Sequence, residues 1–235
     1  MLFGYAGSMA RQPRQAVSHK ETEPYSPLCL SGEEMAEWDR KLSLLCGDAP
    51  RRVSNEMAVA SVMPIAMLYY FVINSPNLDD GDTEVDGSSI WHYHEDEDTL
   101  LEGAEFVTGN TWVSNRERSL IDCVQYARSY QAVKLVLRSL SAVDIDPDVM
   151  LDLTESIGAY APLRRVCSIA SLLPDGTQKD SQFEIESYAE KMASENVYLC
   201  GSSEPESGKV FWADKRFGVL WDVPPKSVYN DVYHY

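Results

Sequence analysis

Apolar residues recur at helical spacing through much of the chain after residue 30. The first such stretch opens with Ser31 and Glu34, which stand in the order of a capping box at a helix start. Its apolar positions then follow at intervals of three, four and three residues: Met35, Trp38, Leu42 and Leu45. This spacing predicts an amphipathic helix, and Gly47 is a suitable residue to end it.

A second capping box, formed by Ser114 and Glu117, predicts the longest helix of the chain, from residue 114 to about 143. A single apolar seam runs along this stretch: Cys123, Tyr126, Tyr130, Val133, Leu137 and Leu140. Seams of this period are typical of a helix that packs one face against a core.

Three shorter helices are predicted beyond this seam. Asp146 precedes Pro147, an order that favours a capped helix start, and Pro162 begins the next helix. Ser181 and Glu184 form the capping box of the last one. The acidic run that contains Asp146 is therefore interpreted as a helix cap and not as a metal-binding motif.

The apolar stretch 57–73 contains no charged residue and is close to the shortest length that spans a bilayer. Pro64 lies near its centre, and Glu56 and Asn74 bound it closely. A proline inside a helix kinks it, so these features favour a buried core helix. We therefore expect no membrane insertion.

The hydrophobic period changes from helical to alternating after residue 196. Residues 209–213 and 218–223 alternate in polarity and flank a short turn, which predicts a hairpin, with residues 197–200 as a third strand. Together with the helices, this pattern predicts an α+β fold that is mainly α-helical. About six helices would pack around segment 57–73, and a small antiparallel element would follow at 197–223.

The two ends of the chain are rich in proline or glycine and lack a sustained apolar period. Residues 1–30 are predicted to form an extended N-terminal arm, and residues 224–235 a C-terminal arm. Residues 31–223 would then form a single domain that contains an acidic loop at 77–105.

The chain is strongly acidic, with a formal net charge of -17 at pH 7. Residues 77–105 contain eleven Asp or Glu residues and no Lys or Arg, a run that predicts a solvated loop. A field of this sign repels phosphates, so strong nucleic-acid binding is not expected. Five scattered cysteines without a C-x-x-C pair indicate a reducing compartment, hence the cytoplasm, or a virion if the protein is viral.

His92 and His94 are the candidate metal ligands, with Asp98 as a third. On a strand, histidines two residues apart point to one face, where both imidazoles can reach the same ion. That arrangement would make the protein a metal-dependent enzyme. The alternative, which we favour, leaves these side chains in a solvated acidic loop with no cofactor.

No catalytic motif in the sequence is complete, so the leading hypothesis is a non-enzymatic structural or accessory subunit of a larger assembly, such as a capsid-associated viral protein. A third hypothesis is an acidic regulatory module that binds a basic partner. The arms supply the candidate partner-binding residues, which are aromatic, apolar or basic: Leu2, Phe3, Tyr5, Arg11, Arg14, Tyr229, Tyr233 and Tyr235.

Overall fold

A computed structural model of the chain describes residues 32–55, 71–85, 88–126, 130–142, 144–174, 180–200 and 209–234. Within these ranges it contains eight helices: α1 (Gly32–Cys46), α2 (Glu97–Leu100), α3 (Arg116–Tyr126), α4 (Tyr130–Ala142), α5 (Pro147–Ile157), α6 (Tyr160–Ala170), α7 (Asp180–Lys191) and α8 (Pro225–Tyr233). The strands are β1 (Arg51–Asn55), β2 (Phe71–Ser75), β3 (Gly81–Val85), β4 (Ser88–His94), β5 (Ala104–Thr108), β6 (Thr111–Ser114), β7 (Val197–Tyr198), β8 (Trp212–Asp214) and β9 (Val219–Trp221).

The first six strands form one mixed sheet in the order β3-β4-β2-β1-β6-β5. Strand β1 pairs antiparallel with β2 and parallel with β6, so Val53 lies opposite both Ile73 and Val113. All three side chains are buried. Strand β1 is therefore a central strand, whereas β3 and β5 are the two edges of the sheet.

The prediction of a mainly α-helical fold is wrong, because the described residues up to 114 are dominated by this six-stranded sheet. The acidic loop predicted at 77–105 is also wrong, since the stretch supplies β3, β4, α2 and part of β5. The physical reason lies in β1, where Arg51 and Arg52 are both fully buried. A hydrophobicity pattern assigns such residues to the surface and so misses a central strand.

The apolar stretch 57–73 lies mostly outside the described residues. Its last residues, from Phe71 onward, form β2 and are not helical. Within the described ranges, no helix has the length and apolar character needed to cross a bilayer.

The helix predicted over 114–143 is divided into α3 and α4, and residues 127–129 between them are not described. Ser114 belongs to β6, and the cap of α3 is Asn115, whose side-chain oxygen accepts a hydrogen bond from the backbone N–H of Arg118. The helices from α3 onward and the second sheet share one large core. Its fully buried members include Leu120, Leu137, Met150, Leu163 and Trp221.

The second sheet has the order β7-β9-β8. Strands β8 and β9 form an antiparallel hairpin, but β7 pairs parallel with β9, so the sheet is mixed and not antiparallel throughout. The indole N–H of Trp221 donates to the hydroxyl of Ser168, which in turn donates to Asp214 at 2.7 Å. This buried chain of hydrogen bonds fixes the sheet to α6.

Residues 225–233, predicted as part of a C-terminal arm at 224–235, form helix α8. Pro225 occupies a position in the first turn, where its missing N–H costs nothing, and Val228 is fully buried. Asp231 lies 3.4 Å from the amine of Lys134 on α4. The segment therefore packs on its own chain, and its docking on a neighbouring chain stays a prediction.

The predicted cap of α5 is confirmed. One carboxylate oxygen of Asp146 accepts hydrogen bonds from the backbone N–H groups of Asp148 and Val149, at 3.0 and 3.2 Å. We expect Asp146→Ala to lower the free energy of unfolding by about 1 kcal/mol, because two N–H groups lose their partner. Urea denaturation followed by circular dichroism measures this loss. The control, Asp152→Ala on the exposed face of α5, should change stability by less than about 0.5 kcal/mol.

Candidate functional site

A buried cluster of charged side chains lies between β1 and α3. Side chains alternate along β1, so Arg51 and Val53 face α1 while Arg52 points to the opposite face, towards α3. Glu95 follows the last residue of β4. Arg118 and Asp122 lie four residues apart and hence on the same face of α3.

These four side chains form a closed set of ion pairs, which we call the charge ring: Arg52, Glu95, Arg118 and Asp122. Arg52 binds both carboxylate oxygens of Glu95, at 2.7 and 3.1 Å, and reaches Asp122 at 3.2 Å. Arg118 binds Glu95 at 2.6 Å and Asp122 at 3.0 Å. Each arginine thus contacts both carboxylates, and the formal charges cancel.

Further groups bond to the ring, and among the described residues the Nε atom of Arg52 is left without a hydrogen-bond partner. The amide of Asn74 donates to Glu95 at 2.8 Å, and Arg52 also donates to the backbone carbonyl of Leu100. Each oxygen of Glu95 therefore already accepts two hydrogen bonds. All four ring side chains are buried, and these ion pairs and hydrogen bonds offset part of the cost of removing them from water.

The ring also sets the electrostatics of its surroundings. Burial alone would lower the pKa of Arg52, but the charges of Asp122 and Glu95 outweigh it and raise that pKa. Burial raises the pKa of Tyr126, and the same two carboxylates raise it further. The aromatic side chain of Tyr126 stacks on that of Tyr93, with a centroid separation of 4.3 Å. Arg52 therefore stays charged, and Tyr126 stays neutral.

A small open pocket of about 210 Å³ lies beside the charge ring. It is lined by Glu95 and Arg118 together with polar side chains that include Asp96, Thr99 and Gln125. Most small-molecule sites are larger, at roughly 300–1,000 Å³. Because both oxygens of Glu95 already accept two hydrogen bonds each, this carboxylate is not free to bind a ligand, and we assign the ring a structural role.

The three predicted metal ligands lie on β4 and α2. His92 and His94 lie on one face of β4, but the Nδ1 atom of His92 lies 2.6 Å from the carbonyl oxygen of Asp79. His94 lies 3.5 Å from Asp96, and Asp98 is exposed on α2. Across the described residues, no group of three or more His, Cys, Asp or Glu side chains is placed to hold a metal ion. A metal role for these residues stays a prediction without support from this geometry.

The predicted partner-binding residues fall into two groups. Most lie outside the described residues: Leu2, Phe3, Tyr5, Arg11, Arg14 and Tyr235. Tyr229 and Tyr233 lie on α8, where their rings are 5.0 Å apart. Tyr233 also packs against the large core, so at least one of these anchors already has contacts within the chain.

Sequence reasoning missed both the charge ring and a set of exposed aromatic side chains next to the sheet edges. Phe106 on edge strand β5 is 62% exposed, and Trp91 on β4 is 41% exposed. Phe211 and Trp212 are exposed at edge strand β8 of the second sheet. The only sequence signals for the ring were the adjacent arginines at positions 51 and 52 and the i,i+4 spacing of Arg118 and Asp122.

Comparison of the chain with models of known protein families, with curated proteins and with solved structures gives no match. A functional assignment must therefore follow from the chain's own residues. Among these, the charge ring accounts for stability and the exposed aromatic side chains remain to be explained.

The structural role of the ring predicts a large effect of Asp122→Asn. This change leaves two buried arginines with a single carboxylate, and loss of one partner of a buried ion pair costs about 3–5 kcal/mol. We expect that decrease in the free energy of unfolding, measured by urea denaturation. The matched control is Asp96→Asn, whose side chain is exposed and next to Glu95. A decrease under about 1 kcal/mol in Asp122→Asn would contradict the structural role.

Proposed function

We propose that this protein is a non-enzymatic accessory subunit of a larger protein assembly and that it binds partners through aromatic side chains beside its sheet edges. The observation that supports this most is the exposure of Phe106, at 62%, on the edge strand β5. Its ring meets that of Trp112 edge-on, with centroids 5.5 Å apart.

Exposed aromatic pairs of this kind are favourable anchors for a protein partner. An aromatic side chain buries a large apolar area on binding and has only two side-chain torsions to immobilise. Trp112 is partly buried and supports Phe106 from the neighbouring strand, so the pair needs little rearrangement to bind. Leu101, which is also exposed, precedes the same strand and adds a further apolar side chain at this edge.

The second sheet supports the same proposal independently. Three consecutive residues at the start of the edge strand β8 are exposed: Val210, Phe211 and Trp212. Lys209 stacks over the ring of Phe211, with its amine 4.3 Å from the ring centroid. Two separate edges with aromatic side chains suit a subunit that contacts more than one neighbour.

Two parts of the sequence-based hypothesis do not carry over. The structure does not support a mainly α-helical subunit, and nothing in it supports an association with a viral capsid. The exposed aromatic side chains support protein binding within an assembly.

The proposal is tested by the mass of the native particle. The tagged full-length chain, purified from its source, should elute well above the 26.4 kDa of a single chain. Because loss of an aromatic anchor costs about 1–2 kcal/mol or more, Phe106→Ser should reduce the share of protein in that particle about tenfold. Light scattering after size exclusion measures both quantities.

The matched control is Leu44→Ser, which removes an 85% exposed apolar side chain from α1. We expect this variant to assemble like the unchanged protein, because its side chain belongs to α1 and not to an edge strand. A native protein that elutes at the mass of one chain would contradict the proposed function.

A further inference from the structure

Among the described strands, β3 forms the edge of the six-stranded sheet opposite to β5. Its five residues pair with β4 in an unbroken antiparallel register, from Gly81 opposite His92 to Val85 opposite Ser88. The register of β5, by contrast, shifts between Phe106 and Thr108. Such bulges hinder the addition of another strand, so β3 is the edge on which a strand can be added more easily.

One face of this edge combines a carboxylate with an aromatic ring. Asp82 on β3 lies directly opposite Trp91 on β4, so both side chains point to the same face of the sheet. Asp82 is exposed, and Trp91 is 41% exposed. A carboxylate beside an accessible indole is a suitable environment for a lysine or arginine head group, through ion pairing and a cation–π contact.

The residues before β3 extend the negative charge along the edge. Asp79 and Asp80 are both exposed, and no Lys or Arg occurs between residues 77 and 105. The carboxylate of Asp80 accepts a hydrogen bond from the backbone N–H of His94 at 3.0 Å. This contact fixes the acidic segment against the end of β4 next to the open edge.

The charge of the edge decides which strand can bind to it. A second copy of this chain that paired through β3 would bring two acidic edges together, and like charges opposite each other are destabilising. A segment with lysine or arginine would instead meet carboxylates that have no cation nearby in the sequence. Charge complementarity thus selects a basic partner.

We propose that an extended, lysine- or arginine-bearing segment of a partner protein adds to β3 as a further strand. This inference rests on the proposed function and names the partner class and the binding edge. Backbone groups of β3 that point away from β4 supply the main-chain hydrogen bonds. The basic side chain opposite Asp82 pairs with its carboxylate, and its long stem extends towards the ring of Trp91.

The experiment uses the full-length chain and two synthetic seven-residue peptides, one alternating lysine with valine and one alternating glutamate with valine. Binding is followed by the backbone amide and indole signals in NMR spectra and by amide hydrogen exchange. We expect the lysine peptide to slow the exchange of β3 amides and to shift the indole signal of Trp91. The glutamate peptide should do neither.

Two variants assign the effect to this edge. Asp82→Lys should weaken binding of the lysine peptide at least about tenfold, since it replaces an attraction by a repulsion. Trp91→Leu keeps the charge of the edge and should weaken binding about threefold, because it removes the cation–π contact. The control Asp98→Lys makes the same charge change on α2 and should alter binding less than about twofold.

Equal binding of both peptides, perturbations confined to β5 or β8, or equal effects of Asp82→Lys and Asp98→Lys would each overturn the inference. The proposed function has a separate test in the native particle. If that particle forms and β3 shows none of the expected changes, only the β3 inference fails. If the native protein is a single chain and still binds the lysine peptide at β3, only the proposed function fails.

Discussion

The burial of Arg52 is the constraint on which the sheet–helix packing depends. A guanidinium removed from water costs several kcal/mol unless carboxylates and hydrogen-bond acceptors surround it. Here those acceptors come from the end of β4 and from α3, at Glu95 and Asp122. Strand β1 can therefore occupy a central position only when the end of β4 and helix α3 are both in place. The charge ring thus couples the order of the sheet to the packing of α3 on its face.

The adjacent Arg51 fixes a second helix, α1, on the opposite face of the sheet. It binds Asp39 of α1 at 2.6 Å and donates to the hydroxyl of Thr111 on β6 at 2.9 Å. Burial opposes the ionisation of Asp39, but the hydrogen bonds from Thr111 and Arg51 outweigh it and lower the pKa of that carboxyl. Two consecutive residues therefore fix one helix on each face, and β1 becomes the middle layer of an α–β–α arrangement.

The accuracy of the sequence analysis follows from the range of the interactions involved. Helix α5 was predictable because its cap, Asp146, bonds to N–H groups two and three residues away. The sheet was not, because Arg52 finds its partners 43 and 70 residues along the chain. A local pattern shows two charges at the start of β1 and cannot show that distant carboxylates neutralise them. The binding edge at β3 was missed for a related reason, since β3 becomes an edge only through the pairing order of the whole sheet.

The acidic stretch 77–105 contains carboxylates in two different physical situations. Glu95 lies inside the charge ring, where two arginines neutralise it and its oxygens are saturated. Asp82 is exposed on β3, the edge strand among the described residues, where the pairing register places it opposite Trp91. The carboxylate of Glu95 is needed for the fold. The carboxylate of Asp82 is available to a partner that binds along β3. Folding thus uses the interior acids and leaves exposed acids at the β3 edge, in a stretch of sequence without Lys or Arg, so self-pairing of this edge is unfavourable and a cationic strand is favoured.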